Sequence, residues 1–333
     1  MRSNMKSSIK KEFGVFWALV LRHLKVFFKN KLTLLFALMV PGITLIIYMV
    51  FLRSLELGMV KEFLVSYESL PGYNSIIEAS TGLVDSWMFG GLLGVSCISV
   101  SLNSCYIIIR DRESGVNRDF ISSPISRNTI VISYLVVNIL ITFIINFVML
   151  AICLALLGGL GNFHLTFVNC LGIIFVMLVS IISASLLTIF ITTFIKTEGI
   201  FNSIIAIFSA ALGFLIGAYM PLKMLPTAAS YVCLFFPGTY SVSMFRTFFM
   251  EDQINHCFDV MLNNGIARSD AEATINLIRK DFSYNVNFFG NEMNFGWMLL
   301  ALAIFIVISI ILDLNFIQGT TKVIDKAFRR KKK

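Results

Sequence analysis

Residues 105–135 read CYIIIRDRESGVNRDFISSPISRNTIVISYL. One apolar run ends at Ile109 and another begins at Ile130. The 20 residues between them, 110–129, are polar and include four arginines. Two hydrophobic spans joined by a short basic linker are typical of two membrane helices connected on the cytosolic side.

The linker carries a charge pattern of its own. Oppositely charged side chains recur at spacings that allow pairing along a helix, at Arg112, Glu113, Arg118 and Asp119. The sequence Ser-Ser-Pro at 122–124 ends this short helix, because a residue before proline disfavours helical backbone. A short rigid helix transmits a displacement, so we interpret the linker as a cytosolic element on which another protein pushes.

The composition places the chain among membrane proteins. It is 57% hydrophobic and only 14% charged, whereas soluble domains carry roughly a quarter charged residues. Its apolar residues come in runs of about 20, the length that crosses a bilayer as a helix. The predicted fold is an all-α polytopic membrane protein with six transmembrane helices, at about 32–52, 84–109, 130–157, 167–195, 200–220 and 295–317.

Four regions surround or interrupt this transmembrane domain, which covers 32–317. Residues 1–31 predict an amphipathic helix on the inner membrane face, because apolar side chains recur at steps of three and four. A positively charged flank that only sets orientation is the alternative. Residues 318–333 form a basic cytosolic tail. The outer segments are 53–83 and 221–294.

The basic residues predict the orientation. Of the 27 Lys and Arg, 20 fall in 1–31, 110–129, 318–333 and at Lys196, and seven fall in the outer segments. This bias places both termini in the cytosol and the protein in the cell membrane. The net charge of +8 is therefore an orientation signal, and no nucleic-acid partner is expected.

The long outer segment contains two half-length apolar pieces. Residues 228–236 are too short to cross a bilayer, and a second piece at 240–250 follows the Pro237–Gly238 interruption. We expect a re-entrant hairpin hinged at Pro226, Pro237 and Gly238. Two helices lying flat on the outer leaflet are the alternative.

Polar side chains lie on one face of several spans. They are Ser96, Ser99, Asn103 and Tyr106 in the second span, and Asn138 and Asn146 in the third. Because polar stripes facing lipid are unfavourable, these faces should point inward. They are candidates for a substrate pathway, and hydrogen bonding between helices is the alternative. Gly90 and Gly94 have the spacing of a close helix contact.

No catalytic or cofactor-binding pattern is apparent. The chain lacks GxxxxGK[ST], and its six cysteines and three histidines show neither zinc spacing nor a disulfide framework. We therefore predict no enzyme activity, no cofactor and no metal in this chain. Asp313 is the one acid predicted well inside a span. It either pairs with an inner Lys or Arg or acts in an ion-coupled transporter or channel.

In their order along the chain, these elements resemble the type-2 ABC transporter permeases. Arg-Glu-Ser-Gly at 112–115 followed by Ser-Pro-Ile-Ser at 123–126 is similar to the family's linker between spans two and three. Pro221, Pro226 and the Phe-Pro pair at 236–237 are similar to its proline-rich segment after span five.

The resemblance implies a mechanism and partners. Two permease subunits, identical or different, would each dock on a separate ATPase that binds ATP and Mg²⁺. Coupling to that ATPase would fall on Arg112, Glu113, Gly115, Arg118, Asp119 and Phe120. The implied activity is export of a drug-like, lipid-like or other amphiphilic substrate across the lipid bilayer. A polysaccharide exporter, an ion-coupled transporter using Asp313, and a scaffold without transport are the alternatives.

Overall fold

The computed structural model describes the backbone of residues 2–123 and 125–331, and the side chains of 12–313 except 118, 121 and 124. Within these residues the chain is a helical bundle with one two-stranded hairpin, which confirms the predicted all-α polytopic fold. Six described helical segments are long and apolar enough to cross a membrane: Lys31–Tyr67, Tyr73–Glu113, Arg127–Gly159, Phe167–Thr193, Glu198–Leu215 and Phe295–Asp313.

The elements follow one another in a simple order. The chain begins with α1 (Arg2–Lys29), α2 (Lys31–Ile47), a π-helical turn (Tyr48–Leu52), α3 (Arg53–Leu64), α4 (Tyr73–Ser104), α5 (Tyr106–Glu113) and α6 (Val116–Ser122). It continues with α7 (Arg127–Gly159), α8 (Phe167–Thr193), α9 (Glu198–Leu215), α10 (Thr227–Cys233), α11 (Pro237–Asn263) and α12 (Arg268–Asp281). A hairpin of β1 (Asn287–Phe288) and β2 (Asn291–Glu292) precedes α13 (Phe295–Lys331).

Polar side chains begin several of these helices. At the starts of α7, α8 and α9, the hydroxyl oxygens of Ser126, Thr166 and Thr197 accept hydrogen bonds. In each case the donor is the backbone amide three residues later in the chain. Such caps satisfy amides that have no partner inside a helix. The helices also extend beyond the predicted spans. The first continues outward through α3, and the second begins at Tyr73 instead of 84.

The helix α4 is the centre of the bundle. It is buried along nearly all its length and packs against α2, α7, α8, α9 and α11. Its contact with α11 depends on glycine: a Cβ at Gly94 would lie 2.3 Å from Cγ2 of Val242, and one at Gly90 3.0 Å from the backbone nitrogen of Arg246. The close contact predicted at Gly90 and Gly94 is confirmed.

The segment after α9 returns into the bundle. Pro226 and Pro237 stand at the starts of α10 and α11, and α11 runs antiparallel to α4. Gly238 contacts Ile98, past the midpoint of Tyr73–Glu113. The second apolar piece is therefore a buried 27-residue helix with its first turn deep in the bundle. Its burial against α4 is compatible with the predicted re-entrant hairpin, whose depth in a membrane stays a prediction.

The helix α1 packs along the first half of α7 and against α2. Val20 and Phe27 are buried there, Phe16 and Leu24 are half-buried, and Phe13 is exposed. The predicted apolar face therefore contacts the bundle along most of its length, which places α1 beside the linker that follows α4.

Candidate functional site

The linker begins as an extension of the second membrane helix. After a single turn at Cys105, α5 continues the direction of the chain to Glu113. Gly115 then adopts φ +83°, a left-handed conformation that glycine accepts without strain, and α6 begins. The helix predicted across 112–119 is therefore divided at Gly115, and its second part ends at Ser122 as expected.

A buried carboxylate connects α5 with α1 and α7. Asp111, 2% exposed, accepts hydrogen bonds from Nη1 and Nη2 of Arg22 at 2.6 and 2.8 Å. The hydroxyl of Tyr134 donates to the same carboxylate at 2.7 Å. A two-point contact of arginine with a carboxylate fixes distance and orientation together. The helix α1 is therefore held to α5 by a specific, directional bond.

Aromatic rings enclose this contact. His23 stacks on Tyr134 with ring centroids 4.2 Å apart, and Arg22 lies over the ring of Phe120 of α6. Burial, and then the charge of Arg22, lower the pKa of His23 to about 4, so this imidazole is neutral near pH 7. We call Arg22, His23, Asp111, Phe120 and Tyr134 the Asp111 cluster.

The next two residues reach the opposite side of the bundle. Arg112 donates to the carbonyls of Thr192, at 3.0 Å, and of Ile195, at the end of α8. Glu113 accepts from the amide of Glu198 at 2.7 Å, at the start of α9. Both contacts match the helix dipole, with a cation at a C-terminus and an anion at an N-terminus.

These contacts were not part of the predicted charge pattern. Arg112 and Glu113 lie in α5 and bond to the α8–α9 turn. Asp119 is exposed on α6, and Phe120 is half-buried against Arg22 and His23. The side chain of Arg118 lies outside the described part of the structure.

The structure also identifies residues of this region that the sequence did not single out, namely Arg22, His23, Asp111 and Tyr134. Arg22 and Asp111 are 89 positions apart, and neither lies in a recognisable motif. The one available signal was Asp111 itself, an acid directly after an apolar run.

The candidate pathway residues lie inside the bundle. Ser96, Ser99, Asn103, Asn138 and Asn146 are buried, and Tyr106 is half-buried. Asn138 donates to the carbonyl of Ser101 and accepts from its hydroxyl, so it joins α7 to α4. Asn103 bonds within its own helix. Their role in a substrate pathway stays a prediction.

A second buried carboxylate, Asp85, lies in the first half of α4. Asp85, 0% exposed, accepts from the hydroxyl of Tyr48 at 2.7 Å, from Nε and Nη2 of Arg53 at 2.7 and 3.0 Å, and from Nδ2 of Asn162 at 3.1 Å. We call these four residues the Asp85 cluster. It connects the first membrane helix, α4 and the turn between α7 and α8.

One basic residue counted with the outer segments lies inside the bundle. Arg246 is 1% exposed, donates to the carbonyls of Gly217, Ala218 and Trp87, and stacks over the Trp87 ring at 4.0 Å. It lies in the buried part of α11, which the count of charges by side did not show. Among the described residues, Oδ1 of Asp313 is buried without a hydrogen-bond partner.

Six membrane-length helices, a buried segment that returns into the bundle and a charged linker bonded to four helices are features of a polytopic membrane subunit. The family model of the ABC-2 family transporter proteins matches residues 59–312. The chain belongs to that family and is a permease of an ABC transporter, which confirms the resemblance seen in its sequence. No curated protein matches the chain.

Proposed function

We propose that this permease exports an amphiphilic substrate, driven by a separate ATPase subunit that binds ATP and Mg²⁺ and docks on the 110–129 linker. The observation that carries this proposal is the set of contacts of α5. Within three consecutive residues it bonds to α1 and α7 through Asp111, to α8 through Arg112 and to α9 through Glu113.

This arrangement supports mechanical coupling. A helix of two turns does not shorten under load, and its bonds to four neighbours are directional. A displacement applied to α6 and to the end of α5 would therefore shift α1, α7 and the α8–α9 turn together. ATP binding would supply the free energy by favouring the closed form of the ATPase.

The faces of the outer helices support pairing with a second permease. Within the described residues, α2 and α9 leave large apolar side chains exposed, including Phe36, Ile46 and Ile207. In a membrane such faces contact lipid or another helix. The pathway would then form where two subunits meet. Asp313-linked ion coupling is not favoured, since the family match is to a transporter class driven by a separate ATPase.

Photo-cross-linking tests the docking site. A benzophenone amino acid at Asp119, exposed on α6, should cross-link to an ATP-binding-cassette ATPase in native membranes, and mass spectrometry would identify the product. The matched control is the same amino acid at Glu272, exposed on the outer helix α12.

The proposal requires cross-linking at Asp119 and none at Glu272. An ATPase cross-linked to position 272 would show that the orientation assigned to the protein is the wrong way round. Absence of any ATPase at Asp119, with the permease intact by size-exclusion chromatography, would contradict the docking site.

A further inference from the structure

A cavity of about 720 Å³ lies between α2–α3 and α9. This volume falls within the range of pockets that hold drug-sized ligands, ~300–1,000 Å³. Its walls are mostly aliphatic, aromatic and thioether side chains, among them Ile43, Ile47, Leu55, Met59 and Phe214. An apolar molecule would therefore be buried there favourably.

One charged side chain, Glu56 of α3, lines this apolar cavity. Glu56 is 4% exposed, and its Oε2 has no hydrogen-bond partner among the described residues. The nearby Arg246 gives its hydrogen bonds to three backbone carbonyls and forms no ion pair with Glu56 in the described structure. Buried carboxylate oxygens are normally bonded, so the missing donor requires an explanation.

The other polar groups of the cavity do not supply that donor. The Thr44 hydroxyl bonds to the Tyr219 hydroxyl, at 2.9 Å, and to the carbonyl of Val40. The hydroxyl of Ser209 has no partner among the described residues and bonds to no carboxylate. The cavity therefore combines apolar walls with one carboxylate, that of Glu56, which can accept a hydrogen bond.

We propose that this cavity binds an amphiphile with a protonated amine, its ammonium group donating to Glu56 and its apolar body lying between α2 and α9. The inference rests on the proposed export function, because it names the class of substrate. An ammonium group would supply both the missing donor and the opposite charge. A neutral amphiphile supplies no charge, and a carboxylate would be repelled.

The cavity is accessible from the side of the subunit. Ile43, Leu55 and Phe214, which line it, are 46%, 64% and 50% exposed. Since these side chains face the bilayer or a neighbouring membrane helix, an amphiphile dissolved in the membrane can enter without passing through water.

Photolabelling with three matched probes tests the proposal. Decylamine, decanol and decanoic acid, each carrying the same diazirine on its chain, would be added to the full-length permease in lipid nanodiscs. We expect the amine to label peptides of α3 and α9 ~10-fold more than the alcohol. One charge-assisted hydrogen bond changes a binding constant by about this factor. The acid should label them least.

Two substitutions on the same helix separate charge recognition from partitioning. Glu56→Gln should reduce labelling by the amine to the level of the alcohol. Glu62→Gln, an exposed position of α3, makes the same change of charge and should leave the preference intact. Equal labelling by amine and alcohol in the native protein, or an unchanged preference in Glu56→Gln, would overturn the proposal.

A cavity-filling variant keeps the test decisive if Glu56→Gln fails to fold. Ala210→Trp occupies the α9 wall but retains the carboxylate, so all three probes should lose their labelling of α3 and α9. If no probe labels the native cavity, it is covered by lipid or a second subunit and the proposal is wrong. In that case, cross-linking of an ATPase to the benzophenone at position 119 would still support the proposed export function.

Discussion

Two buried aspartates of the second membrane segment, Asp85 in α4 and Asp111 in α5, have the same chemistry in different surroundings. Each accepts two bonds from an arginine and one from a tyrosine. The partners of Asp85 belong to membrane helices and one tight turn. Asp111 instead bonds to the surface helix α1 and is followed directly by the two residues that bind the α8–α9 turn.

The difference teaches how one motif can serve two purposes. The Asp85 cluster joins elements that are already packed together, so we expect it to stabilise the fold. The Asp111 cluster joins elements that meet at the surface near an exposed linker, so we expect it to transmit movement. Loss of the first should lower stability, and loss of the second should mainly lower the coupling of ATP hydrolysis to transport.

The largest effect is expected from Asp85→Ala. It leaves Arg53 half-buried without its counter-ion and removes the acceptor of Tyr48 and Asn162. Breaking a buried pair costs about 3–5 kcal/mol of unfolding free energy. Thermal unfolding in detergent should show a large fall in midpoint. Asp259→Ala, an exposed position of α11, should leave the midpoint unchanged; equal midpoints for the two variants would refute the structural role.

Asp111→Ala should destabilise less and uncouple more. The Arg22 side chain is 33% exposed and can be hydrated once its partner is gone, so we expect a loss of about 1–3 kcal/mol. ATP-dependent transport in reconstituted vesicles should fall by about tenfold, a typical coupling energy. Normal transport by a folded Asp111→Ala variant would contradict the role of the Asp111 cluster in coupling.

The pH dependence of stability should separate the clusters further. Burial and Arg22 lower the pKa of His23 from 6.5 to about 4, so between these values the unfolded chain binds a proton that the folded chain does not. Stability is therefore lost as the pH falls through this window. His23→Phe keeps a ring beside Tyr134 and should make thermal midpoints less pH-sensitive there, whereas an unchanged profile would contradict this cause.

The smallest effect is expected at the α9 cap. Glu113→Ala removes the acceptor of the Glu198 amide and should cost about 1 kcal/mol, with faster hydrogen exchange in the first turn of α9. Glu113→Gln retains an oxygen acceptor and should restore most of the protection. Similar exchange in both variants would show that charge, and not the hydrogen bond, stabilises this helix start.

Much of the fold could be read from the sequence because a bilayer imposes strict local conditions. A spanning helix needs about 20 apolar residues, so hydropathy alone located all six. Local backbone preference located the end of α6 at Ser122, but the break at Gly115 was not predicted. The positive φ of Gly115 and the caps at Ser126 and Thr197 depend on neighbouring residues only.

The candidate site was located only in part, because charge patterns do not state their partners. Glu113 and Arg112 were selected from a family-like motif, but their bonds to the α8–α9 turn were not predicted. The burial of Arg246 and Glu56, which fall in the predicted outer segments, was not predicted either. Both side chains are enclosed by helices from distant parts of the chain, which an apolar run does not indicate.

The sequence by itself determined the class, the six spans, the charged linker and the family, since each depends on residues close together in the chain. Only the tertiary structure decided which charges meet. The bond between Arg22 and Asp111 spans 89 positions, and the Glu56 cavity exists only where α3 approaches α9. Such contacts follow from the packing of whole helices, and no local pattern specifies which faces will touch.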